Sequence, residues 1–286
     1  MLHVSPDRPI EPSALGVLTT VQRVAEALAL DWLVIGAMAR DIMLKGVFDL
    51  DAGRATRDVD LAVVVSGWNQ FEDLKSALLG TALFREARGI AHRLYYATGG
   101  GSEGYPLDVI PFGGTEQPEH VIAWPPDRQV MNVAGYGEAL AAALEVEVAP
   151  GLVIRVASLP GLAILKLFAW RARRNLDARD AADLAILFRR YADAGNLDRL
   201  YGDEMSALET VDFRVELAGP RLLGRDVRRI IAAPTADRIG EILDREADRL
   251  VTDLAKNLRS EDPVAEAEAL LEQFRTGIDE EEIARS

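Results

Sequence analysis

The chain has no cysteine and only three histidines. The first absence excludes disulfides and thiolate metal sites and suits a reducing compartment. The histidines, His3, His92 and His120, lie far apart without metal-ligand spacing, so no zinc centre is expected. No apolar run approaches the ~20 residues of a membrane span, and the N-terminus lacks a basic stretch followed by an apolar one. A cytoplasmic protein with no membrane partner is expected. Basic charge is also short, with 32 Lys and Arg against 46 Asp and Glu, a formal net charge of −14. That balance excludes a generally cationic protein that coats duplex DNA. No serine stands in a nucleophile elbow. The glycine-rich run "GGGSEG" has neither the lysine nor the following helix of a phosphate loop, so it reads as a hairpin connection.

What is present is an ordinary globular composition, 49% apolar and 27% charged over 286 residues, enough for one large domain or two smaller ones. The charge is uneven. Residues 236–286 hold 15 acidic and seven basic side chains, whereas residues 166–190 hold seven basic and three acidic ones. A cationic segment thus lies inside an acidic chain. Trp32, Trp68, Trp124 and Trp170 read as packing residues.

The dozen residues "MLHVSPDRPIEP" read as a loose lead-in. Leu15, Leu18, Val21, Val24 and Leu28 have helical spacing, which predicts a helix over Ser13 to Leu30 with Ser13 as N-cap. "DWLVIG" reads as a strand ending at Gly36, and "AMARDIMLKG" as a helix that starts at once. "RDVDLAVVV" is the next strand and "NQFEDLKSALLG" the next helix. "HRLYYAT" and "YPLDVIPF" read as two strands, "YGEALAAAL" as a short helix, and "VEVAPGLVIRVA" as a strand pair turning at Pro150-Gly151. From Ser158 the pattern is helical, beginning with "LPGLAILKLFAWRARRN" and "DARDAADLAILFRRYADAG" and continuing to Ile283. The expected architecture is an α/β (α+β) domain over residues 1–157 with a mixed sheet, followed by an all-helical domain over residues 158–286.

Asp58 and Asp60 lie one residue apart at the mouth of an apolar strand and so share a face. Asp108 is the lone charge in another apolar strand. Adjacent carboxylates in a dry site repel each other unless a cation intervenes, and hard oxygen donors suit Mg²⁺. Three carboxylates from neighbouring strands can hold two such ions ~4 Å apart, an arrangement used in phosphoryl and nucleotidyl transfer. The strand ending at Gly36 runs directly into a helix, whose first backbone N–H groups would make a seat for phosphate.

With "VIGAMARD" and "TRDVDLAV" in this order, the chain resembles the polymerase-beta-type nucleotidyltransferases, which pair a Gly-Ser or Gly-Gly turn with Asp-x-Asp and a later third Asp. The wider set "GAMARD…RATRDVDLAV…LDVIPF…KLFAWRARRNLDARDAADL" is similar to the AbiEii-type nucleotidyltransferases, many of which are the toxin half of bacterial toxin–antitoxin pairs. The resemblance implies a polymerase-beta-type core and a triphosphate turn at Gly36 and Ala37, flanked by Arg40 and Thr56. It implies two divalent ions, Mg²⁺ or Mn²⁺, on Asp58, Asp60 and Asp108, with Asp108 helping to deprotonate the acceptor. It further implies that Lys166 reaches the triphosphate, that Asp180 is catalytic, and that Asp183 belongs to the nucleotide set. The sequence departs from the pattern in having Ala37 where serine is usual, so one hydroxyl contact is lost. Its spacer of 21 residues between Gly36 and Asp58 is also long.

Read by itself, the helical block offers structural alternatives. Lys166 is the only charge between Leu159 and Trp170, and a lysine snorkelling from a helix edge fits as well. Asp180, Leu184, Leu187 and Tyr191 form one stripe, so Asp180 points to the core and needs a cationic partner. Alternatively, Asp177 is an N-cap with Asp180 closing a capping-box-like end. Arg171, Arg173, Arg174 and Arg179 could hold the phosphates of a nucleotide or an RNA end, or solvate helix termini.

The reaction expected is transfer of a nucleoside monophosphate from an NTP to an acceptor hydroxyl. By resemblance the acceptor is a tRNA 3′ end, and an antitoxin or regulator is a partner. The alternatives are a small-molecule, antibiotic-type nucleotidyltransferase and a non-catalytic nucleotide- or partner-binding protein on the same fold.

Overall fold

A computed structural model of the chain describes residues 1–97, 104–126, 128–177 and 179–280. The chain divides into two compact units, Met1–Ser158 and Leu159–Ser286.

In chain order the first unit contains β1 (Leu2–His3), α1 (Pro12–Ala27), β2 (Trp32–Ile35) and α2 (Gly36–Asp41), which runs on as a wide π turn over Ile42–Val47. Next come β3 (Val59–Val65), α3 (Trp68–Gly80), β4 (Phe84–Glu86), β5 (Arg93–Tyr96), β6 (Tyr105–Gly113), β7 (Val121–Trp124) and β8 (Gln129–Asn132). The unit closes with α4 (Tyr136–Ala141), β9 (Leu144–Ala149) and β10 (Leu152–Val156). Among the described residues, eight strands form one mixed sheet in the order β1-β9-β10-β2-β3-β6-β5-β4, and β7 and β8 form a separate hairpin. β3 and β6 pair in parallel, while β2 and β5 flank them antiparallel. These central strands are continuous apolar runs because they are covered on both faces. Val59, Leu61, Ala62, Val63 and Val65 of β3 are all buried.

Several boundaries differ from the sequence reading. The N-cap of α1 is Glu11, whose side chain accepts from the Ala14 N–H at 3.0 Å, and Ser13 lies inside the helix. The lead-in includes β1, whose two residues pair with β9 and are too few to show alternation. β4, β7 and β8 were not expected. They are three or four residues long, at or below the shortest run in which a period of two can be read. The connection "GGGSEG" lies outside the described residues except for Gly104.

The second unit is helical throughout its described residues. It comprises α5 (Leu159–Arg173), α6 (Arg179–Arg190), α7 (Leu197–Leu200), α8 (Met205–Glu209), α9 (Val215–Ile230), α10 (Ala233–Arg245), α11 (Ala247–Ala255) and α12 (Pro263–Asp279). Ile283, the expected helical limit, lies outside the described residues. α5 is buried almost all round, and the Trp170 indole N–H donates to Asp253 of α11 at 3.0 Å. α6 shows the expected stripe, with Asp180, Leu184 and Leu187 buried, and Tyr191 just past its end is buried too. α9 and α12 approach backbone to backbone at a glycine notch. A Cβ on Gly224 would stand 3.0 Å from the Gly277 Cα, and one on Gly277 would stand 3.0 Å from the Arg225 nitrogen. Among the described residues no helix is long and apolar enough to cross a membrane.

Candidate active site

The sheet register lines up one row of residues at the same level. Ile35 of β2 pairs with Asp60 of β3, Asp60 with Asp108 of β6, and Asp108 with Arg93 of β5. Directly paired residues project from the same face. Asp60, Asp108 and Arg93 therefore stand side by side across three strands. Gly36 follows Ile35 and closes the row at the other end. Its φ of +67° is one an L-residue other than glycine adopts only with strain. A Cβ there would stand 2.9 Å from the Asp60 Cγ and closer still to its Oδ2. The glycine is thus required twice, by its backbone angle and by the carboxylate packed on it. Sequence reasoning placed the glycine turn opposite the paired acids, and the strand register is what accomplishes this.

Arg40 is 2% exposed, and its guanidinium donates to Asp41 Oδ1 (Nε, 3.0 Å; Nη2, 2.6 Å) and to the Arg54 carbonyl (2.6 Å). Asp41 Oδ2 accepts from the Thr56 N–H at 3.2 Å, and the Thr56 hydroxyl donates to Asp58. A chain of bonds from α2 through Arg40, Asp41 and Thr56 thereby holds the segment that carries Asp58. Arg40 and Thr56, expected near nucleotide, are in this arrangement the ties of the long spacer. Burial first, and then the nearby charges of Glu11, Asp58 and Asp41, push the Tyr105 phenol well above its usual range, so it remains a proton donor.

Asp108 is 8% exposed, and Arg93 grips it bidentately, with Nε to Oδ1 at 2.7 Å and Nη2 to Oδ2 at 2.6 Å. Fork-to-fork pairing of this kind is short and strong. The bond to Asp108 is the largest influence on Arg93 and raises its pKa. Burial, its largest influence, pushes the neighbouring His92 below its ordinary value, so the ring is neutral at pH 7. That ring lies 5.3 Å from Trp124, in a cluster with Trp68 and Phe71.

The metal expectation divides here. Asp58 and Asp60, partly exposed at the head of β3, are hard oxygen donors of the kind a divalent cation takes. Asp108 does not fit the third position, because both of its oxygens already accept from a fixed cation. Among the described residues no group of three or more His, Asp or Glu side chains could hold a metal ion.

The candidate residues of the helical unit form a second group. Lys166 was expected to reach a triphosphate. It is 8% exposed, and its Nζ lies 2.5 Å from Asp183 Oδ2 and 3.3 Å from Asp180 Oδ1. Arg173 also grips Asp180, at 2.6 and 2.9 Å. Two cations and two carboxylates thus neutralise one another, and Lys166 and Arg173 are the cationic partners that buried Asp180 requires. Asp177 accepts from the Arg179 N–H at 2.9 Å, while Asp180 faces inward and does not close a capping box. The four arginines expected to meet acceptor phosphates all carry carboxylates of their own unit. Arg171 and Arg174 both pair with Glu246, Arg173 with Asp180, and Arg179 with Asp177. The patch is therefore compensated and not bare.

Three contributors escaped sequence reasoning, namely Asp41, Arg93 and Glu246. Asp41 closes the run "GAMARD" but was given no role of its own. Arg93 and Glu246 act across register or across helices, where one sequence offers no pairing information.

Residues 20–280 match the family model described as "Nucleotidyl transferase AbiEii toxin, Type IV TA system". The protein is a nucleotidyltransferase. More narrowly, the chain belongs to the AbiEii nucleotidyltransferase family, since the match covers most of its length. No curated protein matches the chain. Solved structures with similar chain courses include an antigenic nucleotidyltransferase-like protein from Paracoccidioides brasiliensis (TM-score 0.40, 17% identity, 72% of this chain and 93% of that one). Another is ANT(2")-Ia in complex with adenylyl-2"-tobramycin (0.38, 16%, 71% and 97%). A third is the Thermotoga maritima CCA-adding enzyme complexed with tRNA (0.27, 12%, 97% and 86%). The family assignment rests on the sequence match alone.

Proposed function

We propose that this nucleotidyltransferase moves a nucleoside monophosphate from an NTP to the 3′ hydroxyl of a tRNA, releasing pyrophosphate, and that it acts as the toxin of a toxin–antitoxin pair. The observation that carries the site assignment is the packing of Gly36 on the Asp60 carboxylate, with Asp108 alongside in register. Only a methyl, that of Ala37, stands on the turn's own two residues where a triphosphate would approach. Asp58 and Asp60 would hold a divalent cation, Mg²⁺ or Mn²⁺, which when bound neutralises charge on the reacting phosphates. Thr56 and Asp41 fix the orientation of Asp58, and Arg40 fixes Asp41. The tRNA acceptor follows the toxin-family resemblance, the cations of segment 166–190 being paired within their own unit, and an antitoxin is the partner that family implies.

The test is incubation with each labelled NTP, with total tRNA that is intact or stripped of its 3′ hydroxyl. Label on intact tRNA alone is expected. Label on a small hydroxyl compound or on protein, with none on RNA, would overturn the acceptor. No turnover of any NTP by the folded protein in the presence of Mg²⁺ would overturn the reaction.

A further inference from the structure

We propose that Arg54 and Arg57, on the long spacer that leads to Asp58, receive phosphate groups of the anionic substrates. The inference deepens the nucleotidyl-transfer reading and rests on it for the place of the reaction.

Four arginines of the helical unit were expected to meet phosphate, and each is held by a carboxylate of its own unit. The spacer between Gly36 and Asp58 is the opposite case. Arg54 and Arg57 are exposed, and among the described residues neither guanidinium has an ion-pair or hydrogen-bond partner. Acids stand close along the chain but are engaged elsewhere. Asp41 takes Arg40, Asp51 accepts from the Gly53 N–H at 2.8 Å, and Asp58 accepts from the Thr56 hydroxyl.

The backbone beneath the two arginines is fixed. Ala52 is buried, the Arg54 carbonyl accepts from the buried Arg40 guanidinium at 2.6 Å, and the Thr56 N–H donates to Asp41 Oδ2 at 3.2 Å. Desolvating a guanidinium is costly, and here it goes to hold a loop carbonyl. The spacer is thus pinned at three successive places while its two cationic side chains stay in water. Binding side chains are commonly carried in this way, on a loop positioned by a rigid scaffold.

Their place also suits the electrostatics. Arg57 directly precedes Asp58, with Cα atoms about 3.8 Å apart, so the head of the carboxylate row lies within one arginine side chain's reach. A triphosphate or an RNA phosphate approaching that row meets charge of its own sign. Two unpaired guanidiniums beside the row offset the repulsion and bring the forked donors that match phosphate oxygens. The triphosphate of an NTP and the backbone of an RNA acceptor share this chemistry, and the experiment separates them.

The test measures binding of non-hydrolysable NTP analogues and of tRNA, each alone, to the full-length protein with Mg²⁺ present. The proteins are wild type, Arg54→Gln, Arg57→Gln, the double variant, and Arg23→Gln, which removes an exposed cation of α1 as a control for net charge. The double variant should bind at least one of the two ligands about tenfold more weakly or worse, each single variant falling between, with Tm within about 2 °C of wild type. Arg23→Gln should bind as wild type does. A loss confined to the NTP analogues places the contacts on the triphosphate. A loss on tRNA, with the log–log salt slope lowered by about 0.7 per contact removed, places them on the acceptor. A double variant that binds both ligands as wild type does would overturn the inference, and so would an equal loss in Arg23→Gln. A fall in Tm of more than about 5 °C in the double variant would also overturn it, by showing that the chain itself holds the two guanidiniums. A wild type that binds neither ligand and turns over no NTP would overturn the nucleotidyl-transfer reading, and this inference with it.

Discussion

Replacing Gly36 with alanine probes the meeting of the turn and the carboxylate. Two independent costs are expected. The residue must hold φ near +67°, a left-handed conformation that costs an L-residue roughly 1–2 kcal/mol. The new Cβ must also find room 2.9 Å from the Asp60 Cγ and 3.0 Å from its Cβ, and overpacking of this kind costs about 1–3 kcal/mol. Together the variant should lose about 2–5 kcal/mol, which for a unit of this size lowers Tm by about 4–20 °C. The two parts separate in a double-mutant cycle with Asp60→Ala. That substitution removes the Cγ and Oδ2 contacts and leaves the backbone strain, so the pair should show a coupling of about 1–3 kcal/mol, with about 1–2 kcal/mol of the Gly36→Ala cost persisting. Urea denaturation of the four proteins measures both quantities. A coupling below ~0.5 kcal/mol would mean that the carboxylate does not lie on the glycine, and the geometry proposed for the site would fall with it.

Lys166→Ala should destabilise the helical unit by about 3–5 kcal/mol, because it removes the buried ammonium that lies between the carboxylates of Asp183 and Asp180. A loss under ~0.5 kcal/mol in urea titration would show that the ammonium is not held there. In the same unit Asp226, Asp253 and Glu280 lie below their usual carboxylate range. Burial, the largest influence on each, raises them, but hydrogen bonds from Arg199 and Tyr191, from Lys256 and Trp170, and from Arg225 and Arg221 together outweigh it. Folded values below unfolded ones give stability that is complete above the unfolded range of about pH 4 and lost as pH falls through the folded values. Circular dichroism from pH 6 down to pH 2 should show that loss, and a unit that gains stability below pH 4 would contradict it. Should tRNA be the acceptor, Glu246→Gln, which releases Arg171 and Arg174, should steepen the salt dependence of transfer by about 0.7 in log–log slope for each new phosphate contact. An unchanged slope would exclude both arginines from RNA contact.

The row at the candidate site was partly legible in the sequence. Alternation alone put Asp58 and Asp60 on one face, and the lone charge in "YPLDVIPF" marked Asp108. The turn at Gly36 was legible because a strand-like run stopped there and a helical pattern began with no linker. Arg93 was invisible because its role depends on which residue of β5 faces Asp108, and a shift by one would turn it to the other face of the sheet. The helical half was legible as helices because α6 keeps a clean apolar stripe. The partners of its charges were not, since Lys166 inside an apolar run is equally compatible with snorkelling, phosphate binding or a buried ion pair. In this structure its ammonium lies between Asp183 and Asp180. Ser13 failed as an N-cap because Glu11, two residues earlier, reaches the same free N–H groups ahead of Pro12 at N1.

The glycine notch between α9 and α12 also has a consequence in time. Ile230 and Pro263, which bound the two helices, are separated by 32 residues, and α12 itself adds 17. At about 5–20 residues per second, a ribosome needs roughly 2–10 s to deliver the whole of α12 after α9 is complete. Throughout that interval the side of α9 that meets α12, at Arg221, Gly224 and Arg225, lacks its partner, while its other side can already pack on α5, α6 and α8. The nascent chain thus passes through a window of seconds in which its helical unit is one helix short, with the notch of α9 open to chaperones, proteases and other nascent chains.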